Sequence, residues 1–348
     1  VAPHCYGSKF GSRPKLRSAL GVQLAMQLAV QPAVQLSDAL SRRWRGQRGR
    51  LEVWYATVSD PGSGTGFWAH HELVAPLSSA PYTHGFAAMF RRSGPAILER
   101  FGPEDTTTAP SSEIPQPGGT SFGVSSIRGR IGALGWDLAR SALEEPSAPL
   151  FTFPEWAWKH EVFPAAQILP VASSRLEGTL SAHGEQVRLT DMARGNLAHI
   201  YGHGNAERWG WLHAELGGGD VLEIVSAVSR RALLRNLRPL SFVKLRVGGA
   251  DWPRDPLLCA PLFRAELGLP WWRISGTIGR YRLRAEITIA PERSVSVGYE
   301  DPDGETATCT NSEMADADIV LEHKLSRWET EARWTLRSTA HSEIGTRP

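Results

Sequence analysis

The chain has 348 residues, 41% of them hydrophobic and 21% charged, with a formal net charge of +2. That charge is uneven: residues 1–50 hold nine Lys or Arg against one acid, Asp38, and the rest hold 29 basic and 35 acidic residues, a net of −6. The length favours two domains over one, and the mildly acidic body gives no support for wrapping a nucleic acid backbone, so no nucleic-acid partner is expected.

In chain order, residues 1–48 come first. Their apolar centre, ALGVQLAMQLAVQPAVQL (19–36), is interrupted by four Gln and a Pro and flanked by basic residues. It makes a poor signal peptide. Residues 1–48 are expected to stand outside the fold, as a basic disordered leader, a weak targeting segment, or sequence upstream of the true start. LEVWYATV (51–58), FWAHHELVA (67–75), THGFAAMF (83–90) and AILERF (96–101) read as strands, with DPGSGTG (60–66) as a turn. A polar loop covers 104–119, and 121–141 reads as a strand pair. FTFPEWAWKHEVFPAAQILP (151–170) is too Pro-broken for a long helix and reads as a crossing segment. RLEGTLSAHGEQVRL (175–189) reads as a hairpin turning near His183 and Gly184.

The second half is expected from residue 195. Strands with Gly-rich turns fill 196–230, and RALLRNL (231–237) reads as a helical turn or two. Tyr281, Leu283, Ala285, Ile287 and Ile289 alternate with polar residues, as in a half-buried antiparallel strand. A meander completes the chain. Alternation without interleaved helices argues against a doubly wound sheet, and no GxGxxG or GxxxxGK[ST] is present to cradle a nucleotide. Thirteen Trp call for an aromatic-rich β interior or a large apolar pocket. FWAHHELVAP also echoes WGWLHAELGG, as a duplicated barrel-like unit would. Cys259 and Cys309 read as buried small hydrophobes.

WYATVSDPGSGTGFWAHHELVAP, YGHGNAERWGWLHAEL and GYEDPDGE together resemble the two-domain lipocalin-like superfamily of AttH-domain proteins and carotenoid 1,2-hydratases, to which tocopherol cyclases are related in architecture. The resemblance covers residues 50–345. It implies an all-β fold of two lipocalin-like antiparallel β-barrel domains packed together, here 49–194 and 195–345. In carotenoid hydratases a Tyr-x-Asp-His-Asn-like run near a Trp supplies the proton from its Asp. Here the matching stretch is Tyr201-Gly-His203-Gly-Asn205, with Trp209 after it, and His203 takes the acid position. The nearest carboxylate is Glu207.

On an unbroken strand Tyr201, His203, Asn205, Glu207, Trp209 and Trp211 share one face. Glu207 or His203 would then donate a proton, Tyr201 and Asn205 would orient substrate or water, and Trp209 and Trp211 would line the pocket and stabilise a carbocation. The alternative is a Gly-broken turn whose polar groups bond the backbone. Among His70, His71, Glu72 and His84, a strand puts His70 and Glu72 on one face and His71 on the other. His70, Glu72 and His84 are candidates to orient substrate or to make ordinary hydrogen bonds; strand spacing carries little metal specificity, and no metal is expected. Trp156, Trp158 and His160 alternate on one face if extended, forming a pocket wall or a plug. Tyr299 and Asp301 to Asp303 sit in GYEDPDGE, whose Asp-Pro-Asp-Gly reads as a β-turn. Arg230, Arg231, Arg235 and Arg238, mixed with Leu233, Leu234 and Leu237, read as a solvated helix face, with membrane-surface contact as the smaller option. The expected function is a cofactor-free, non-redox hydratase, cyclase or isomerase acting on an apolar isoprenoid- or polyketide-like molecule. A non-catalytic lipid or pigment carrier is the alternative. The expected location is the cytoplasm, with possible membrane association.

Overall fold

The computed structural model describes residues 36–106, 113–141, 148–161 and 163–348. The first sheet holds β1 (Arg50–Asp60), β2 (Thr65–Ala75), β3 (Tyr82–Arg91), β4 (Ile97–Asp105), β5 (Ser121–Phe122), β6 (Ser126–Ile131), β7 (Leu134–Arg140), β8 (Leu150–Phe151), β9 (Ala165–Ala182), β10 (Glu185–Arg188) and β11 (Arg194–Gly202). The second holds β12 (Arg208–Gly217), β13 (Asp220–Val228), β14 (Leu240–Val247), β15 (Ala250–Trp252), β16 (Phe263–Glu266), β17 (Trp271–Ile278), β18 (Tyr281–Thr288), β19 (Val295–Glu300), β20 (Thr306–Lys324) and β21 (Trp328–Thr346). Short helices α1 (Leu36–Leu40), α2 (Glu155–His160) and α3 (Pro256–Cys259) lie between them or ahead of them.

All pairings are antiparallel, and the hydrogen-bonded orders are β4-β3-β2-β1-β11-β9-β7-β6-β5 and β15-β14-β13-β12-β21-β20-β18-β17-β16. The two orders match strand for strand, with β8 on β9 answering β19 on β20, so the chain is a topological duplication. The sequence echo does not carry it: FWAHHELVAP lies in β2, whereas WGWLHAELGG lies in β12, the counterpart of β1. Two closed lipocalin-like barrels are not formed. Both paths are open: the first runs from β4, of nine residues, to β5, of two, and the second from β15 to β16, of three and four. The change of sheet falls at 203–207 rather than after 194, because β11 pairs with β1 in the register Trp54↔His199. Gly178 lets β9 turn from β11 to β7; its φ is +134°, and a Cβ there would sit 2.1 Å from the Asp137 carbonyl oxygen.

Three apolar clusters follow from this layout. One lies inside the first sheet (Trp54, Phe67, Trp136, Leu138) and one inside the second (Trp272, Ile274, Leu283, Ile319). The third joins the sheets, with Tyr55, Trp68 and Phe86 from the first meeting Trp209, Trp211 and Tyr299 from the second. β2 is therefore buried at all eleven positions, whereas β17 alternates buried and exposed.

The expectation that residues up to 48 stand outside the fold is corrected for 36–48. Trp44 and Leu40 are buried in the first cluster. The backbone amides of Arg43 and Trp44 donate to the Glu52 carboxylate at 2.6 and 2.8 Å, and Trp54 Nε1 donates to the Leu40 carbonyl at 2.8 Å. His199 bridges Glu52 Oε1 and the Ala39 carbonyl, each at 2.8 Å. Glu52 is fully buried, so these bonds replace its lost hydration. The apolar centre at 19–36 lies almost wholly outside the described residues. The extended reading of 155–160 is also corrected. As a helix it turns Trp158 inward against His199 and leaves Trp156 48% exposed. Trp44→Ala is expected to lower the unfolding free energy by about 3–5 kcal/mol, and Trp156→Ala by less than about 1 kcal/mol, measured by guanidinium titration.

Candidate active site

The run from Tyr201 to Trp211 does not form one face. β11 stops at Gly202 and β12 starts at Arg208, so 203–207 is a crossing between sheets. Gly204 has φ +140°, and a Cβ there would approach the Asp301 carboxyl within 2.9 Å. His203 is exposed, with Nδ1 3.0 Å from Arg50 Nη1. Asn205 donates through its amide N–H and Nδ2 to Asp301 Oδ1 at 2.8 and 2.9 Å, a structural tie. Glu207 is partly exposed and pairs through its backbone with Val228 and Arg347. Tyr201 turns into the first sheet beneath the Arg43 guanidinium, 4.9 Å from its ring. Trp209 and Trp211 alone face the seam between the sheets.

The seam gathers a different set. In β2 the side chains of His70 and Glu72 fall on one side, and register places Tyr55 opposite His70 and His84 opposite Glu72. One carboxylate oxygen, Glu72 Oε2, lies 3.0 Å from His70 Nε2 and 3.3 Å from His84 Nε2. His71 points the other way, to Thr120 Oγ1 at 3.1 Å and the Pro115 carbonyl at 3.3 Å. Tyr299 lies in β19, with its ring stacked on His70 at 5.3 Å. Tyr55, Trp68 and Phe86 pack their rings around the same imidazole.

Burial pushes the Glu72 carboxyl up to about 7; the field of His84 opposes this and that of Asp301 adds to it. Burial also lowers His70 to about 3 and holds His84 below its usual value. Near neutral pH the carboxyl is therefore the group of the cluster that gains and loses a proton, while burial disfavours charge on both imidazoles. Nδ1 of His70, Nδ1 of His84 and Nε1 of Trp68 have no hydrogen-bond partner among the described residues.

A second network continues from Tyr55 into the other sheet. Asn311 Nδ2 donates to the Tyr55 hydroxyl, and Trp209 Nε1 donates to Glu343 Oε1 at 2.7 Å. Glu223 accepts from Trp211 Nε1 at 2.5 Å and from Gln167 Nε2 at 2.7 Å, and faces His213 Nδ1 at 2.9 Å. Glu313 faces His341 Nδ1 at 2.8 Å. Burial drives Glu313 well up and His341 down to about 4, disfavouring the charged form of both partners. At His213 burial works against the charge, but the neighbouring Glu215 and Glu223 carboxylates outweigh it and raise the group to about 9. None of Tyr55, His213, Glu223, Asn311, Glu313, His341 and Glu343 was a candidate from sequence. The available signal was polar residues two apart inside otherwise apolar strands: Asn311 with Glu313, and His341 with Glu343.

The fold and the seam define an all-antiparallel, two-sheet protein with a proton-holding cluster sealed between its halves. The sequence model of the tocopherol cyclase-like family matches residues 152–346. The uncharacterised protein Rv0493c of Mycobacterium tuberculosis (strain ATCC 25618 / H37Rv) is 44% identical over 305 residues, covering 88% of this chain and 89% of that protein. The uncharacterised protein MT0513 of strain CDC 1551 / Oshkosh matches to the same extent, 44% over 305 residues. The chain belongs to the tocopherol cyclase-like family. Kievitone hydratase from Nectria haematococca shares the fold with a TM-score of 0.55 at 12% identity, over 90% of this chain and 93% of that one. A putative AttH from Nitrosomonas europaea gives 0.52 at 12% identity, over 85% and 92%. CghA crystallised with Sch210972 gives 0.54 at 10% identity, over 86% and 88%.

Because His213 is raised when folded, its stabilising share is complete below its unfolded value of 6.5 and is lost as pH rises through about 9. Unfolding free energies measured across that window should fall by more in the native protein than in His213→Gln.

Proposed function

We propose that this protein catalyses a proton-initiated, non-redox addition to a carbon–carbon double bond of an apolar small molecule, with Glu72 as the general acid. The observation that carries this reading is the fully buried Glu72 carboxyl, pushed up to about 7 and held between two imidazoles. A general acid works best when its pKa lies near the working pH. The family is named for a cyclase and one structural neighbour is named a hydratase, and both outcomes follow from one first step. Glu72 gives its proton to an alkene carbon, and the electron pair of the double bond forms the new C–H bond. The cation left on the neighbouring carbon faces the π systems of Tyr55, Trp68, Phe86 and Tyr299. A water oxygen then adds to give an alcohol, or a substrate hydroxyl adds to close a ring. The proton shed by that oxygen returns to the Glu72 carboxylate through His70 or His84.

His203 and Glu207 are set aside as proton donors because they lie at the solvent-facing crossing. A non-catalytic carrier would need only one or two polar anchors for its ligand, whereas Glu72 sits with two imidazole nitrogens on one carboxylate oxygen, which favours the enzyme.

Incubation with a panel of prenylated phenols and polyenes in D₂O should give product carrying one carbon-bound deuterium. Glu72→Gln should lower that rate by about 10²–10⁴-fold with ligand quenching of Trp fluorescence retained; a variant at full rate rejects the assignment. The acid must be protonated to act, so kcat should decline as pH rises through about 7. His84→Ala removes the neighbour whose field lowers Glu72, and should displace that decline to higher pH.

A further inference from the structure

The segment joining β13 to β14 pairs exposure with charge. Every residue from Arg231 to Arg238 is exposed, with Leu233 at 91% and Leu237 at 56%, and Leu240 at the start of β14 is exposed as well. Residues 224–250 contain no Asp or Glu but five Arg and one Lys, within a body of net −6. Arg230 is bound to Asp303 and Glu305 at 2.5 and 2.7 Å. Arg231, Arg235 and Arg238 have no acidic partner among the described residues.

The spacing is ordered. Arg231, Arg235 and Arg238 follow i, i+4, i+7, and Leu233, Leu237 and Leu240 follow the same series two residues on. On a helix these sets lie on opposite faces. The segment already holds the start of such a turn: the amides of Leu234 and Arg235 bond the Arg231 carbonyl at 2.7 and 3.0 Å, and Leu237 bonds Leu234 at 3.0 Å. α3 and the turn after it pack beside β14 and leave Leu258 and Leu262 exposed at 76% and 52%. Among the described residues no helix is long and apolar enough to cross a membrane, so contact through this segment would be peripheral.

We propose that residues 230–240 dock on an anionic lipid bilayer, with the leucines in the acyl boundary and the arginines at the phosphates. Charge complementarity selects this occupant: basic side chains without internal acids match an anionic surface, and long Arg stems let the guanidinium stay at headgroup level while leucine inserts. A second copy would bring like charges together. This inference is independent of Glu72.

The test is co-sedimentation of the full chain with vesicles of phosphatidylcholine alone or with about 30% phosphatidylglycerol. The native protein should bind the anionic vesicles at least about tenfold more tightly and lose that preference at high salt. Arg231→Glu with Arg235→Glu should abolish the preference. Leu233→Ser with Leu237→Ser should weaken binding about tenfold or more, with unchanged circular dichroism melts in both variants. Equal binding to both vesicle types would overturn the proposal, as would either variant binding like the native protein. Sedimentation velocity showing a dimer that the leucine variant dissolves would overturn it in favour of self-association.

Discussion

Two sheets that meet through their outer faces cannot leave a carboxylate between them unpaired. Glu72, Glu223, Glu313 and Glu343 are all buried in this seam or beside it. An isolated buried carboxylate costs far more than the few kcal/mol that hold a domain together. Each therefore has a nitrogen partner: the imidazoles of His70 and His84, His213 with the indole of Trp211, His341, and the indole of Trp209. The same requirement fixes register, because shifting β2 by one residue would carry Glu72 to the Phe101 and Phe122 side, where His71 now sits.

Where one face of a strand meets water, the sequence was easy to read. β18 buries Leu283, Ala285 and Ile287 and exposes Arg282, Arg284 and Glu286 apart from small deviations, as its alternation foretold. β1 to β3 were legible as strands but not as to facing, because both of their sides are covered. The shared side of His70 and Glu72 followed from the period of two alone. The same period misled at Tyr201 to Trp211, since it was carried across a stretch where the chain leaves one sheet for the other. The partners that complete the seam, Tyr299, Asn311 and Glu343, come from strands far along the chain. Only topology brings them to Tyr55 and His70, and no local spacing encodes that meeting.

The leader shows a related limit. Its basic composition and missing alternation set residues 1–48 apart, yet 39–44 supply a tryptophan, two backbone amides and a carbonyl to a site inside the first sheet. Glu52 needed those groups, and a buried acid in the middle of an apolar strand was the clue to look for them. Likewise, Trp content pointed to an aromatic interior, but much of that interior is the contact between halves rather than a chamber within either.

The matching strand orders carry a consequence for each half. A solitary half of this molecule would present Tyr55, Trp68 and Glu72, or Trp211, Tyr299 and Glu343, to water. Such a unit would need a cover over that face, and here the other half of the same chain supplies it, one bringing the histidine-clamped acid and the other the tyrosine stacked on His70.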